Sequence, residues 1–159
     1  MCVALLVAGC GGPGGDGYTM PTDAMKPKFS AGQHFTARPV AAGAYEPRAG
    51  DVVVFRAPES WDRRGLSVAR VVAVGGTVVA CCDVAGGVTL DGMALDEPYL
   101  GEDSPIDVPA TVDQCYARRF GPVRVEPGHV FVMGDSRGIS VDSRCKGTVP
   151  SDRIVAVAA

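Results

Sequence analysis

Short apolar runs rich in valine alternate with turn residues along this chain, and no long stretch keeps a helical period. The clearest run is Val52-Val53-Val54-Phe55-Arg56. It follows the turn Glu46-Pro47-Arg48-Ala49-Gly50-Asp51 and predicts a buried strand. Val68 to Val74 and Thr77 to Ala80 predict two more strands, broken by Gly75-Gly76 as a hairpin-type turn. Val88-Thr89-Leu90 with Asp91-Gly92 predicts a second hairpin. Val123-Arg124-Val125, Pro127-Gly128 and Val130 to Met133 read as strand, turn, strand. Gln33 to Ala37 predicts a short strand and Arg153 to Val157 a last one. Tyr18 to Lys28 reads as polar, Pro-containing chain, and residues 96–119 as loop, with Pro98, Pro105 and Pro109. The expectation is a mostly β, antiparallel fold with little helix.

Composition narrows the class. At 159 residues and 47% hydrophobic, the chain has enough apolar material for a real core and suits one domain. Its net charge of −3 leaves no basic footprint for nucleic acid. Six cysteines are many for this length. They form no CxxC pair, and the histidines are His34 and His129 alone, so neither a zinc site nor any other metal or cofactor is expected. Widely spaced cysteines suit an oxidising, extracytoplasmic compartment.

The N-terminus points the same way. Val3 to Ala8 is apolar but far short of the ~20 residues that span a bilayer. Leu6-Val7-Ala8-Gly9-Cys10 resembles a bacterial lipobox, in which Cys10 would be acylated, and Gly11 to Gly17 would be a flexible tether. No Lys or Arg precedes the run, and the alternative is the tail of a truncated membrane anchor. Under either expectation residues 1–17 form an anchor remnant and tether, and residues 18–159 the folded part outside the cytoplasm, associated with a membrane.

Three stretches carry a family resemblance. Pro21-Thr22-Asp23-Ala24-Met25-Lys26-Pro27 resembles the Pro-Ser-x-Ser-Met-x-Pro motif of type I signal peptidases. Arg48-Ala49-Gly50-Asp51-Val52-Val53-Val54-Phe55, followed by Val68 to Ala73, is similar to that family's paired core strands. Gly128 to Arg137, continuing through Ser140, Asp142-Ser143-Arg144 and Gly147-Thr148-Val149-Pro150, is similar to GHxFVMGDNRxxSxDSRxxGxVP. Leu95 to Leu100 fits a further family stretch. The resemblance implies an antiparallel signal-peptidase-type β fold with a small inserted subdomain at about 80–122, a peptide groove, and extended peptides or secretory precursors as partners at a membrane surface.

It also implies a chemistry that this chain lacks. In the family a serine attacks the scissile carbonyl and a neutral lysine takes its proton, the lysine being kept neutral by an apolar pocket. The nucleophile position falls on Ala24 and the general-base position on Ala69. A methyl group does neither job. Thr22 takes the oxyanion position and Ser140 the position that orients the base. Asp142 and Arg144 match a structural ion pair, with Gly134 and Asp135 opening the loop that holds them, and Met25, Phe29 and Val68 fall on substrate-pocket positions. A shifted pair drawn from Lys26, Lys28 and Ser67 would need two coincident moves. Departures at Asp23, Lys26, Lys28, Gln33 and Val74-Gly75-Gly76-Thr77 cluster around the site, as relaxed constraint would produce. Three functions follow as expectations: an inactive homologue that binds peptides or a partner, an active endopeptidase with another nucleophile, or a structural surface lipoprotein. Cys81 or Cys82 is expected to bridge to Cys115, with a vicinal Cys81–Cys82 bridge as the alternative and Cys145 unassigned.

Overall fold

The computed structural model describes residues 15–108 and 115–159. Cys10 and the apolar run before it lie outside the described residues. Eleven strands follow one another: β1 (Asp16–Thr19), β2 (His34–Pro39), β3 (Val52–Arg56), β4 (Leu66–Val74), β5 (Val78–Cys81), β6 (Val88–Leu90), β7 (Met93–Ala94), β8 (Phe120–Arg124), β9 (His129–Met133), β10 (Val149–Pro150) and β11 (Ile154–Ala158). Among the described residues, helix is limited to one turn, α1 (Ser143–Lys146), and two 3₁₀ turns at Glu59–Trp61 and Ser151–Arg153. All pairings are antiparallel, in a seven-stranded sheet ordered β1-β2-β11-β3-β4-β9-β10 and a four-stranded sheet ordered β7-β6-β5-β8.

The large sheet is covered on both faces, which explains why β3 reads as an unbroken apolar run rather than an alternation. Val53 and Phe55 face a core with Trp61, Ala69, Val71 and Val132. Val52 and Val54 face the other way, onto Met20, Met25, Phe29 and Phe35. β4 is long enough to serve two cores. Ala69 and Val71 lie in the first, and past a register shift between Val71 and Ala73 the strand packs Val72 and Ala73 against Val79, Val125 and Phe131. An irregularity of this kind re-aims the side chains that follow it.

Two expectations are corrected. Gly75-Gly76 is a turn but not a hairpin, because β4 pairs with β3 and β9 while β5 pairs with β6 and β8. The chain leaves one sheet there and enters the other. A Cβ on Gly75 would stand 2.8 Å from the Glu126 carbonyl oxygen, so the two crossing segments need a glycine at their contact. The supposed end of the tether at Asp16-Gly17 is strand, joined in β1 to Ala37 and Thr36 of β2. The Cys81 and Cys82 sulfurs lie next to each other, as do those of Cys115 and Cys145. Cys115 is buried beside α1, its sulfur 3.8 Å from the Asp142 carbonyl oxygen, whereas Cys81 ends β5 in the other sheet opposite Phe120.

Candidate functional site

Three separated segments meet at the open end of β4. β9 pairs with β4 only from Arg70 onward, with Arg70 opposite Met133. Leu66 to Ala69 are paired with β3 on one side, and among the described residues no strand pairs with their other backbone edge. Against this edge lies a cavity of about 200 Å³. Thr22 and Ala24 line it from the segment after β1, Val68 and Ala69 from β4, and Ser140 from the loop after β9. Five of the residues picked from the sequence are thus brought together. The segment holding Ala24 is not extended. It runs through turns, with Lys26 N–H donating to the Asp23 carbonyl (3.0 Å) and Phe29 N–H to that of Met25 (2.9 Å).

Met25 and Phe29 do not line the cavity. They are buried in the second core, under the segment rather than over it, with Phe29 stacked on Phe35 at 4.6 Å between ring centres. Their side chains set the height of Ala24. The Thr22 hydroxyl oxygen accepts from Ala24 N–H at 3.3 Å, which leaves its proton free.

The far wall is a hydrogen-bonded loop. Ser140 Oγ donates to Asp142 Oδ2 (2.7 Å) and accepts from Gly134 N–H (3.1 Å), and Gly134 N–H also reaches Asp142 Oδ2 (3.1 Å). Arg144 clamps the same carboxylate, Nε to Oδ1 and Nη2 to Oδ2, both 2.9 Å. It also donates to the carbonyl oxygens of Arg137 and Ala117, at 2.9 and 3.3 Å. Asp142 further caps α1 through Arg144 N–H. The loop is tied to the opposite segment by Ser136 N–H donating to the Ala24 carbonyl at 2.9 Å. Gly134 sits where these parts crowd together. A Cβ there would strike Ser140 Oγ, and would lie 2.6 Å from Ser140 Cβ and 2.7 Å from the Ala24 carbonyl oxygen. Gly134→Ala is therefore expected to cost about 3 kcal/mol through overpacking. Urea unfolding measures it, and a variant as stable as the parent would show that the contact is slack.

Sequence reasoning named Asp135 but missed the charges that hold it and the loop from beneath, Arg70, Arg137 and Glu97. Asp135 is fully buried and takes a two-pronged bond from Arg70, Nε to Oδ1 (2.8 Å) and Nη2 to Oδ2 (2.6 Å). Arg70 Nη1 donates to the Gly50 carbonyl at 2.7 Å, and the guanidinium lies 3.8 Å from the centre of the Tyr99 ring. Burial pushes the Tyr99 hydroxyl's pKa up, and the nearby Glu97 charge adds to that. Arg137, also buried, pairs with Glu97 at 2.5 Å and donates Nε to the Gly134 carbonyl at 2.7 Å. The signal was present in the order of residues: four partners fall inside stretches already noted, at Arg70, Glu97, Asp135 and Arg137. Asp23 is set apart from the cavity. It accepts from Ala31 N–H at 2.8 Å and pairs with Lys26 at 3.0 Å, both of which lower its pKa.

Among the described residues, no three or more His, Cys, Asp or Glu side chains are placed to hold a metal. No helix among them is long and apolar enough to cross a membrane.

A β fold whose core strand and two flanking loops converge on a groove is that of a known peptidase class. The family model described as "Signal peptidase, peptidase S26" matches residues 3–159. The chain belongs to that family. Signal peptidase I of Mycobacterium tuberculosis is 31% identical over 182 aligned residues, covering 87% of this chain and 61% of that protein. A probable signal peptidase I-1 of Synechocystis is 32% identical over 142 residues, covering 86% of this chain and 65% of that protein. The chain therefore spans less than two thirds of the length of either relative. The crystal structure of a signal peptidase I from Enterococcus faecalis shares the fold, with a TM-score of 0.52 at 21% identity over 72% of this chain and 98% of that one.

Proposed function

We propose that this chain is a catalytically silent signal peptidase homologue that holds extended peptides, such as the leader of a secretory precursor or a partner's segment, outside the cytoplasm at a membrane surface. Its main support is the make-up of the cavity wall. Ala24 and Ala69 stand where the resemblance puts nucleophile and base, and among the described residues the lining holds no lysine, histidine, aspartate or glutamate. The hydroxyls in it belong to Thr22, Ser67 and Ser140. Ser140 donates to a carboxylate that Arg144 already holds, which is a poor route to an alkoxide. Lys26 is paired with Asp23, and Lys28 lies over the Phe29 ring, so neither amine replaces the missing base. Peptide holding is supported by the unpaired edge of Leu66 to Ala69. An extended peptide can lie along such an edge as an added strand, with main-chain hydrogen bonds for affinity and side-chain pockets for selection.

The test uses one precursor peptide with small residues at the cleavage point. Expected are saturable binding and no turnover beyond the ~10³–10⁴-fold over water that binding and oxyanion effects alone give in a triad protease. Stoichiometric acylation by a serine-directed inhibitor would show a working nucleophile and sink the silent assignment. Absence of binding would leave a scaffold without a groove.

A further inference from the structure

A second cavity, of about 490 Å³, lies beside the one that Ala24 lines. Asp23, Lys26 and Pro27 line it from the Ala24 segment, and Glu102, Ser136 and Ile139 from the opposite side. Ile139 also lines the first cavity and is 50% exposed, so the two spaces meet at its side chain. The main chain links them as well, because Ser136 N–H donates to the Ala24 carbonyl at 2.9 Å. A peptide lying along the β4 edge therefore comes to this second cavity once it has passed Ala24.

The charges there favour a cation. Glu102 is exposed and pairs with no cation among the described residues. Asp23 is held ionised, since the Ala31 N–H and Lys26 both lower its pKa. Among the described residues Lys26 is the one cation in the lining, and its ammonium is already on Asp23 at 3.0 Å. An entering carboxylate would meet Glu102 and Asp23 as like charges, whereas an ammonium or guanidinium finds in Glu102 a partner that is not taken. Ser136 adds a neutral acceptor. It is 4% exposed, and its hydroxyl makes no hydrogen bond among the described residues, yet it is not one of the sealed polar atoms, which are Trp61 Nε1 and Ser67 Oγ. What it leaves open faces this cavity, which it lines. A serine oxygen has lone pairs to take an N–H from such a head group. Pro27 and the half-exposed Ile139 offer apolar surface for the methylenes behind it, the arrangement that lysine and arginine side chains adopt when the stem packs and the head stays wet.

Building on the peptide holding proposed above, we infer that this second cavity takes a lysine or arginine side chain of the held peptide, past Ala24 from the first cavity, with Glu102 and Ser136 as its specificity residues. Calorimetry compares alanine octapeptides, with acetyl and methylamide caps, that carry lysine, norleucine or glutamate at one position. At one position lysine binds about fivefold tighter than norleucine, and glutamate binds more weakly than either. Raising NaCl to 0.5 M removes most of that advantage. Within each variant the norleucine peptide is the reference. Glu102→Gln brings the lysine-to-norleucine ratio close to one, Ser136→Ala lowers it, and Glu102→Arg turns the preference toward glutamate. A lysine gain equal at every position would be general attraction to a chain of net charge −3 and would overturn the assignment. If norleucine peptides bind and lysine gains nothing anywhere, the cation pocket falls and the groove stands. If no peptide binds, butylammonium and butanol are titrated in turn while the Gly101 and Glu102 amide resonances are followed in a ¹H–¹⁵N spectrum. Saturable shifts with butylammonium alone keep the pocket without the groove, and their absence removes both.

Discussion

The double variant Ala24→Ser with Ala69→Lys cleaves a precursor peptide after small residues at roughly 10²–10³ times the parent's rate, and neither single variant does. Nucleophile and base act as a unit, so restoring one without the other recovers almost nothing. The surroundings are ready for the pair. Position 69 is 5% exposed and borders an apolar cavity with room for a longer side chain, and such a pocket lowers the pKa of an introduced lysine toward the neutral form that a base needs. Ser140 lines the same space, and its oxygen keeps a lone pair for the amine. The Thr22 hydroxyl retains its proton for a developing oxyanion. Asp142 is a carboxylate close enough to favour the charged lysine, but Arg144 already neutralises it. Asp23 faces Lys26 and Ala31 instead of the cavity, which removes most of the opposition that a carboxylate next to the nucleophile would offer. The readout is product formation with detergent present. A folded, peptide-binding double variant without cleavage would mean that Ala24 and Ala69 are not the positions of the lost pair.

Asp135→Ala destabilises the fold by about 3–5 kcal/mol, the usual cost of breaking a buried ion pair from one side. The parent carboxylate is sealed from water and satisfied by two bonds from Arg70. Its removal strands a guanidinium, only 7% exposed, with the Gly50 carbonyl and the Tyr99 ring. For a chain of this size the melting temperature drops by roughly 10 °C. Arg70→Met combined with Asp135→Leu recovers most of the loss, because an apolar pair of similar bulk replaces both charges together. Thermal and urea melts of the three variants decide the matter. A loss below 1 kcal/mol for Asp135→Ala would show that water reaches the stranded arginine.

How much of this was visible beforehand depends on the distance over which a residue's fate is decided. β3 was legible to the residue, since Val52 to Phe55 are buried on both faces and a branched run says so. The Asp91-Gly92 hairpin was legible too, because β6 and β7 pair directly across it. The Gly75-Gly76 turn was read correctly as a change of direction and wrongly as a strand reversal. Local turn chemistry bends the chain, but the partner of each strand is chosen by β9 and β8, some fifty residues away. β1 had no signal of its own; Asp16 to Thr19 become strand only because β2 offers an edge. Motif order singled out Thr22, Ala24, Val68, Ala69 and Ser140, which the fold brings to one cavity, while Arg70 and Arg137 were passed over. An isolated Arg in sequence looks like a solvated position, and only the fold reveals Asp135 or Glu97 beneath it.

Entry to the four-stranded sheet and exit from it lie side by side. Gly76 N–H donates to the Val125 carbonyl and Val125 N–H to the Thr77 carbonyl, both at 2.9 Å, so the departing and returning chain are stitched together at the crossing. The crossing therefore imposes no strain of its own on the register of β4 with β3 and β9, and the chain strung between the stitches touches the site only further along, through Glu97, Tyr99, Gly101 and Ala117. Evolution can thus lengthen or trim the hairpin of β6 and β7 without disturbing the strand edge on which a peptide would rest, while the stretch that carries Glu97, Tyr99 and Ala117 has to stay. The exposed Asp91-Gly92 turn at the tip of that hairpin, where a Cβ on Gly92 would meet nothing within 4 Å, is the splice point this leaves an engineer.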